Sequence, residues 1–163
     1  MCAEAEEAVI RPARPGDLDA LAAVTEEAFG PSSSVDCRIE QMLGRGDHAG
    51  WVELKARALR RELSGGGACF VAELGGRVVG YVTGLVDEAA SRGTIANLAV
   101  RADCAGQGIG RRLLVRGLDR FRELGLAQAK IETLATNEIG QHLYPAVGFR
   151  EVARQIHYVM SLG

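Results

Sequence analysis

Apolar residues recur along the chain with two spacings, and these predict helices and strands in turn. Leu18, Leu21, Val24 and Phe29 follow the three-to-four spacing of an amphipathic helix. A glycine and serine break follows Phe29. The next helical region is interrupted by glycines over 44–50, so we expect two pieces, the second from Val52 to Leu63.

Strand patterns dominate the rest of the chain. Strands are predicted at Val9–Ala13, Cys69–Leu74, Arg77–Val86, Thr94–Val100, Ala129–Leu134 and Glu151–Met160, and helices at Gly108–Leu124 and Glu138–Val147. Gly75 and Gly76 predict a hairpin turn between the second and third strands. This order predicts an α/β (α+β) fold, in which a mixed central sheet carries helices on both faces.

Composition narrows the class of protein. A length of 163 residues suits one domain, which we place at 1–163 with residues 1–7 as a disordered acidic tail. The net charge of −2 gives no reason to expect nucleic acid as a partner. The sequence contains neither a membrane-length apolar run nor a signal peptide, and its four cysteines lack metal-site spacing. We therefore expect a cytoplasmic monomer or homodimer without a metal.

A glycine-rich loop lies between the strand ending at Val100 and the next helix. Gly106, Gly108 and Gly110 leave backbone N–H groups uncovered at a helix start, which favours an anion such as a diphosphate. Arg111 and Arg112 fit such a ligand, because cations are otherwise disfavoured in a first helical turn. The loop has neither the Walker sequence nor the dinucleotide spacing. The alternative is a flexible loop before a helix.

Two motifs resemble those of the GNAT acetyltransferases. Ala105–Gly110 is similar to the family's acyl-CoA motif, Arg/Gln-x-x-Gly-x-Gly/Ala, with alanine at the first position. Asn137–Phe149 resembles Asn-x-x-Ala-x-x-Leu-Tyr-x-x-x-Gly-Phe, with Gly140 in place of alanine. The resemblance extends from about Val9 to Met160.

The resemblance implies a GNAT fold with about six to seven strands and an acetyl-CoA-dependent N-acetyltransferase. It also implies that Thr94–Val100 and Ala129–Leu134 splay apart, and that the gap holds the pantetheine arm of CoA. The residues implied to bind acetyl-CoA are Leu98, Ala99, Val100, Gly106, Gln107, Gly108, Ile109, Gly110, Arg111 and Asn137. The amine acceptor is a small molecule, a protein N-terminus or a lysine.

The same resemblance implies two catalytic side chains. Tyr144 stands where family members carry the tyrosine that protonates the CoA sulfur. Glu132 stands where the N-terminal-alanine acetyltransferases acting on ribosomal protein carry a proposed base. Other candidates for the base are Asp87, Glu88, His157 or water. Glu132 is alternatively a solvated carboxylate paired with Lys130, and Tyr144 a packing residue.

Two further points stay open at the level of sequence. Asn97 lies in the middle of an apolar strand and faces either the cleft or a neighbouring polar group. The acceptor is expected to meet loops 29–36 and 44–51. The alternative to an enzyme is a non-catalytic acyl-CoA-binding regulatory module on the same fold.

Overall fold

The computed structural model describes residues 7–30 and 32–162, which form one sheet between two helical layers. In chain order the elements are β1 (Val9–Pro12), α1 (Leu18–Ala28), α2 (Val35–Leu43), α3 (Trp51–Ser64), β2 (Cys69–Leu74), β3 (Arg77–Asp87), β4 (Arg92–Val100), α4 (Ile109–Glu123), β5 (Gln128–Ile131) and α5 (Glu138–Val147). The predicted division of the second helical region into two pieces is confirmed. The expected tail, apart from Glu7, lies outside the described residues.

The sheet has the strand order β1-β2-β3-β4-β5. The first four strands pair antiparallel, and β5 pairs parallel to β4. A parallel pair needs a crossover connection, which α4 supplies. Gly75 and Gly76 form the predicted turn between β2 and β3. Their φ angles of 57° and 74° suit the mirror-image turns that match the twist of a hairpin.

Helices cover both faces of the sheet, as the element order predicts. On one face Leu113, Leu114 and Phe121 of α4 are buried in a cluster that α5 joins through Leu143 and Val147. The Phe121 ring lies directly over Gly84 and Gly93, where a Cβ atom would come within 2.6 and 2.4 Å of the ring. We call this side the α4 face.

The other face packs against α1 and α3. Leu21 and Val24 of α1 and Leu59 of α3 contact Val71 and Tyr81 of the sheet, and all five are fully buried. We call this side the α3 face. Apolar clusters therefore cover both faces of the sheet, and the candidate site lies at its β4–β5 end.

The expected six to seven strands are too many, because the sheet has five. The prediction of a last strand at Glu151–Met160 is wrong: this segment pairs with no described strand and its side chains are exposed. Strand β5 also ends at Ile131 instead of Leu134. The amide of Asn137 donates to the carbonyl of Leu134 (2.9 Å), so the chain already turns there toward α5.

Candidate functional site

The glycine loop opens directly onto the start of α4. Gly106 and Gly108 have φ angles of 76° and 75°, in the left-handed region that glycine tolerates. No described atom lies within 4 Å of a Cβ built on either residue. Gly108 is the N-cap of α4 and has no capping side chain, so the first amides of the helix are available to a ligand. This geometry suits an anion.

The other residues of the loop divide into inward and outward positions. Ile109 is buried and anchors the helix start, whereas Gln107 and Arg111 are exposed beside the open glycines. Gly110 lies inside the helix, and its Cβ would contact Val100 at 3.6 Å instead of facing the opening. Gly110 therefore allows packing against β4 and does not itself shape the anion site.

Strand β4 extends beyond its partner β5, which ends at Ile131. Their pairing ends at Ile95↔Ile131, although β4 continues to Val100. The register between β3 and β4 shifts at the same point, since Thr83 faces Asn97 and Gly84 faces Ile95. Ala96 is thus an extra residue, a β-bulge, which bends a strand and ends regular pairing. The backbone of 96–100 borders a cleft, and this edge carries Leu98, Ala99 and Val100.

Asn137, Thr133 and Tyr144 meet on the far side of this cleft. The Asn137 side chain accepts from the amide of Gly140 (3.2 Å), which caps α5, and donates to the Thr133 hydroxyl (2.9 Å). Burial raises the pKa of Tyr144, and a hydrogen bond with Thr133 opposes that rise. The phenol is therefore protonated and able to donate at neutral pH.

Gly140 makes this close grouping possible. A Cβ at this position would lie 2.9 Å from the Tyr144 ring and 3.0 Å from the Asn137 amide nitrogen. The replacement of the family's usual alanine by Gly140 thus has a physical reason here. Beside the group, a cavity of about 520 Å³ is lined by Glu138, Ile139, His142 and Leu143. Leu143 also approaches Gly110 at the start of α4.

Glu132 is not brought into this group. Its side chain is 69% exposed and forms an ion pair with Lys130 at 2.7 Å. Asp87 is engaged elsewhere, because its carboxylate accepts from the amide of Ala90 (3.0 Å). His157 is exposed in the segment that forms no strand. Glu88 is likewise exposed, and among the described residues no hydrogen bond or ion pair joins Tyr144 to any of these four side chains.

A buried polar group lies on the α3 face beside the bulge. The Asn97 amide donates to the Glu62 carboxylate (2.7 Å) and to the Thr83 hydroxyl (2.8 Å), and all three residues are buried. The bulge decides the open question about Asn97, because it turns this side chain toward α3. Sequence reasoning missed Glu62, although its spacing from Leu59 places it on the inner face of α3.

The connection between α1 and α2 closes one end of the cleft. The Thr136 hydroxyl, beyond β5, donates to the backbone oxygen of Ser32 (2.9 Å) and accepts from Arg38 of α2 (2.7 Å). Part of the loop expected to meet the acceptor therefore reaches across the cleft.

Among the described residues, no cluster of three or more His, Cys, Asp or Glu side chains is arranged to hold a metal ion. In the same part of the chain, no helix combines the length and apolar character needed to cross a membrane.

Comparison with known proteins identifies the family. The sequence model of the acetyltransferase (GNAT) family matches residues 37–149. The chain belongs to this family. A mycothiol acetyltransferase of Propionibacterium freudenreichii is 30% identical over 153 residues, which cover 89% of this chain and 44% of that protein. The [ribosomal protein bS18]-alanine N-acetyltransferase of Escherichia coli is 35% identical over 74 residues, or 45% of this chain and 47% of that protein.

This GNAT chain thus spans about half the length of the relatives it matches. Its fold is also similar to the crystal structure of the PaiA N-acetyltransferase of Thermoplasma acidophilum in complex with coenzyme A. The TM-score is 0.68 at 17% identity, covering 88% of this chain and 89% of that one. The resemblance found from the two motifs is confirmed at the level of family and fold.

Proposed function

We propose that this GNAT chain is an acetyl-CoA-dependent N-acetyltransferase that moves an acetyl group onto a primary amine by direct attack. The observation that carries the proposal is the cleft itself. An open glycine loop at the start of α4, a strand edge at 96–100 without a β5 partner and a half-buried tyrosine on α5 supply its three parts. An enzyme that uses acetyl-CoA needs a phosphate site, a backbone edge for the pantetheine amides and a proton donor for the sulfur.

In this proposal the amides at Gly106–Gly108 and the start of α4 bind the CoA diphosphate. Gln107 and Arg111 lie beside it, and Ile109 and Gly110 hold the helix start against the sheet. Leu98, Ala99 and Val100 pair with the pantetheine arm through their backbone, as an added strand would. Asn137 holds the start of α5 and contacts the arm. Acetyl-CoA is the co-substrate, and no metal takes part in any proposed step.

The reaction needs no covalent intermediate with the protein, because a thioester is already activated toward attack by an amine. The neutral amine forms the N–C bond and loses a proton, the C–S bond breaks, and the sulfur gains a proton. Tyr144 donates toward that sulfur. An ordinary thiol has a pKa of about 8.5, below that of the tyrosine, so full proton transfer from Tyr144 is uphill. We therefore expect its contribution to be small for an acid catalyst.

Glu132 is the base that the family resemblance implies, acting through water from its exposed position. Glu132→Gln should then lower kcat/KM mainly at low pH, where the amine still needs deprotonation. A general base contributes about 10²–10⁴-fold. The pH profile of kcat/KM measures this, with Glu53→Gln, an exposed carboxylate paired with Arg57, as a control. A profile like that of the wild type would reassign Glu132 as a surface partner of Lys130.

The proposal is tested by binding and turnover together. Acetyl-CoA at millimolar concentration should raise the melting temperature, while NADH and ATP should do so much less. A panel of small amines, lysine peptides and N-terminal alanine peptides is then assayed for release of the CoA thiol. The panel includes alanine peptides because one relative acts on such a terminus. Binding without turnover of any amine would favour a regulatory acyl-CoA-binding module, and no binding would refute the assignment.

A further inference from the structure

We propose that Glu62 and Asn97 form a receptor for the ammonium group of the acceptor, with Glu62 as the binding carboxylate and Asn97 as the positioning residue. This inference rests on the proposed function, and it names the part of the acceptor that the protein recognises. Neither residue is used by the mechanism above.

The first observation is an unsatisfied atom. The Asn97 side chain is 4% exposed, and its oxygen Oδ1 is buried without a hydrogen-bond partner. The orientation of this amide is fixed, because rotating it by half a turn would place Oδ1 against the Glu62 carboxylate. A buried acceptor without a donor costs about 1–3 kcal/mol. A contact that served only to hold α3 on the sheet would not need that oxygen unpaired.

The second observation is the carboxylate itself. Glu62 is 8% exposed, and one oxygen, Oε2, accepts from Asn97. Within the described part of the chain, Glu62 forms no ion pair at 4.0 Å or less, and its other oxygen makes no hydrogen bond. Buried carboxylates are ordinarily paired with a cation or several donors. An ammonium group would bring a positive charge, and N–H donors for the oxygen that Asn97 does not reach.

A basic group on the same helix contacts an aromatic ring and not Glu62. Lys55 lies two turns before Glu62 on α3, and its Nζ is 5.1 Å from the centre of the Phe29 ring. Burial lowers the pKa of Lys55, and the charge of Glu62 acts in the opposite direction. The charge of Glu62 therefore acts on Lys55 without an ion pair, and the Glu62 oxygen stays available to another cation.

The third observation is position. Asn97 follows the bulge residue Ala96, at the point where β4 leaves β5. The pantetheine-binding edge that we propose, 98–100, begins at the next residue. On the same face, the Ser32–Thr136 contact spans the end of the cleft. An amine that enters from the α3 face would meet Glu62 and Asn97 beside the thioester.

The test is an NMR titration of the CoA-bound protein that follows the side-chain amide signal of Asn97, assigned by its loss in Asn97→Ser. The probe is n-butylammonium. Its controls are n-butanol, which lacks the charge, and tetramethylammonium, which lacks N–H donors. We expect only n-butylammonium to shift the signal in a saturable way. Equal shifts with all three compounds, or none with n-butylammonium, would overturn the inference.

A variant pair adds a second measurement. Glu62→Gln keeps the shape of the side chain and should weaken n-butylammonium binding by about tenfold or more, equal to about 1.4 kcal/mol. Glu53→Gln, exposed on the same helix, should leave it unchanged. For any amine that is acetylated, Glu62→Gln should raise the KM for that amine and not for acetyl-CoA.

The two proposals fail in different ways. Turnover of an amine with an unresponsive Asn97 signal and an unchanged KM in Glu62→Gln would refute the receptor alone. A saturable Asn97 shift without turnover of any amine would refute the transferase alone.

Discussion

Tyr144 is the residue at which packing and chemistry are most closely joined. Its ring contacts Phe149 edge-on at 6.3 Å between centroids, and the Thr133 hydroxyl opposes the rise in the pKa of its phenol. Removing the hydroxyl leaves the ring contacts in place. A substitution can therefore separate the proton of this side chain from its packing.

We expect Tyr144→Phe to lower kcat by about 10²-fold, the low end for acid–base catalysis, because a thiolate is already a fair leaving group. Acetyl-CoA binding should change by less than about 1 kcal/mol, the typical worth of one hydrogen bond. Single-turnover kinetics at saturating acetyl-CoA measure the first and calorimetry the second. Tyr158→Phe, at an exposed tyrosine, is the control. Equal kcat in Tyr144→Phe and wild type would make Tyr144 a packing residue.

Asp17 stabilises the fold and is not part of the candidate site. Its two oxygens accept from the Arg11 guanidinium at 2.8 and 2.9 Å, and this lowers the pKa of Asp17 below the ordinary 3.8. A lowered carboxyl pKa stabilises the fold above the unfolded value and loses that effect as the pH falls through the folded value. Asp17 occupies the N-cap position of α1. The side chain makes no cap bond to α1 and instead binds β1 and the amide of Arg14.

Asp17→Asn should therefore reduce the free energy of unfolding at pH 7 by about 1–2 kcal/mol, the range for a hydrogen-bonded charge. The difference from the wild type should shrink as the pH falls below 3.8. Urea unfolding between pH 3 and 7 measures it. Asp47→Asn, in an exposed loop, should show little effect at any pH. A difference that is independent of pH would mean that charge is not the cause.

At the scale of elements, the glycine loop and α4 work as one unit. The motif predicted both the loop and the helix start, because glycine spacing is visible in sequence. It could not show that Gly110 differs in role from Gly106 and Gly108. That distinction depends on φ and on the approach of Val100, which only the packed structure fixes.

Two glycines with the same φ angle allow the effect of backbone strain on stability to be measured apart from the effect on CoA binding. Gly108 and Gly76 have φ angles of 75° and 74°, and neither has an atom within 4 Å of a built Cβ. Alanine at either position should cost about 1–2 kcal/mol of stability, the penalty of a left-handed conformation. Only Gly108→Ala should also weaken CoA binding in calorimetry. Equal CoA affinity in the two variants would move the phosphate site away from this loop.

At the scale of the whole molecule, apolar spacing predicted the order of the helices and strands. It did not predict which segments pair as strands. Val152, Ile156, Tyr158, Met160 and Leu162 alternate with mostly polar residues, which is the pattern of a strand. All five side chains are at least 73% exposed. Alternation shows that a segment suits a sheet, but a strand also requires a neighbouring edge, and this is not encoded locally. Glu62 was missed for a related reason, since its partners come from β3 and β4.

The exposed segment predicts where a protease cuts first. Trypsin should cleave after Arg150 or Arg154, because the backbone there belongs to no helix or sheet. Arg60 and Arg120, within α3 and α4, provide internal controls that should survive longer. Timed digestion followed by mass spectrometry measures the order of cuts. Early cleavage within the helices with an intact segment would show that the segment is protected in solution.

The bulge at Ala96 determines which face of the sheet each following side chain of β4 occupies. Before it, Ile95 points to the α4 face; after it, Leu98 and Val100 point there, while Asn97 and Ala99 face α3. If the strand alternated regularly through Ala96, without the bulge, the two sets would exchange faces. An amide would enter the apolar layer beside Leu113, and an apolar side chain would meet Glu62. The one extra residue thus has the same effect as changing four side chains at once, whereas the exposed loop at 44–49 can change in length without such a cost.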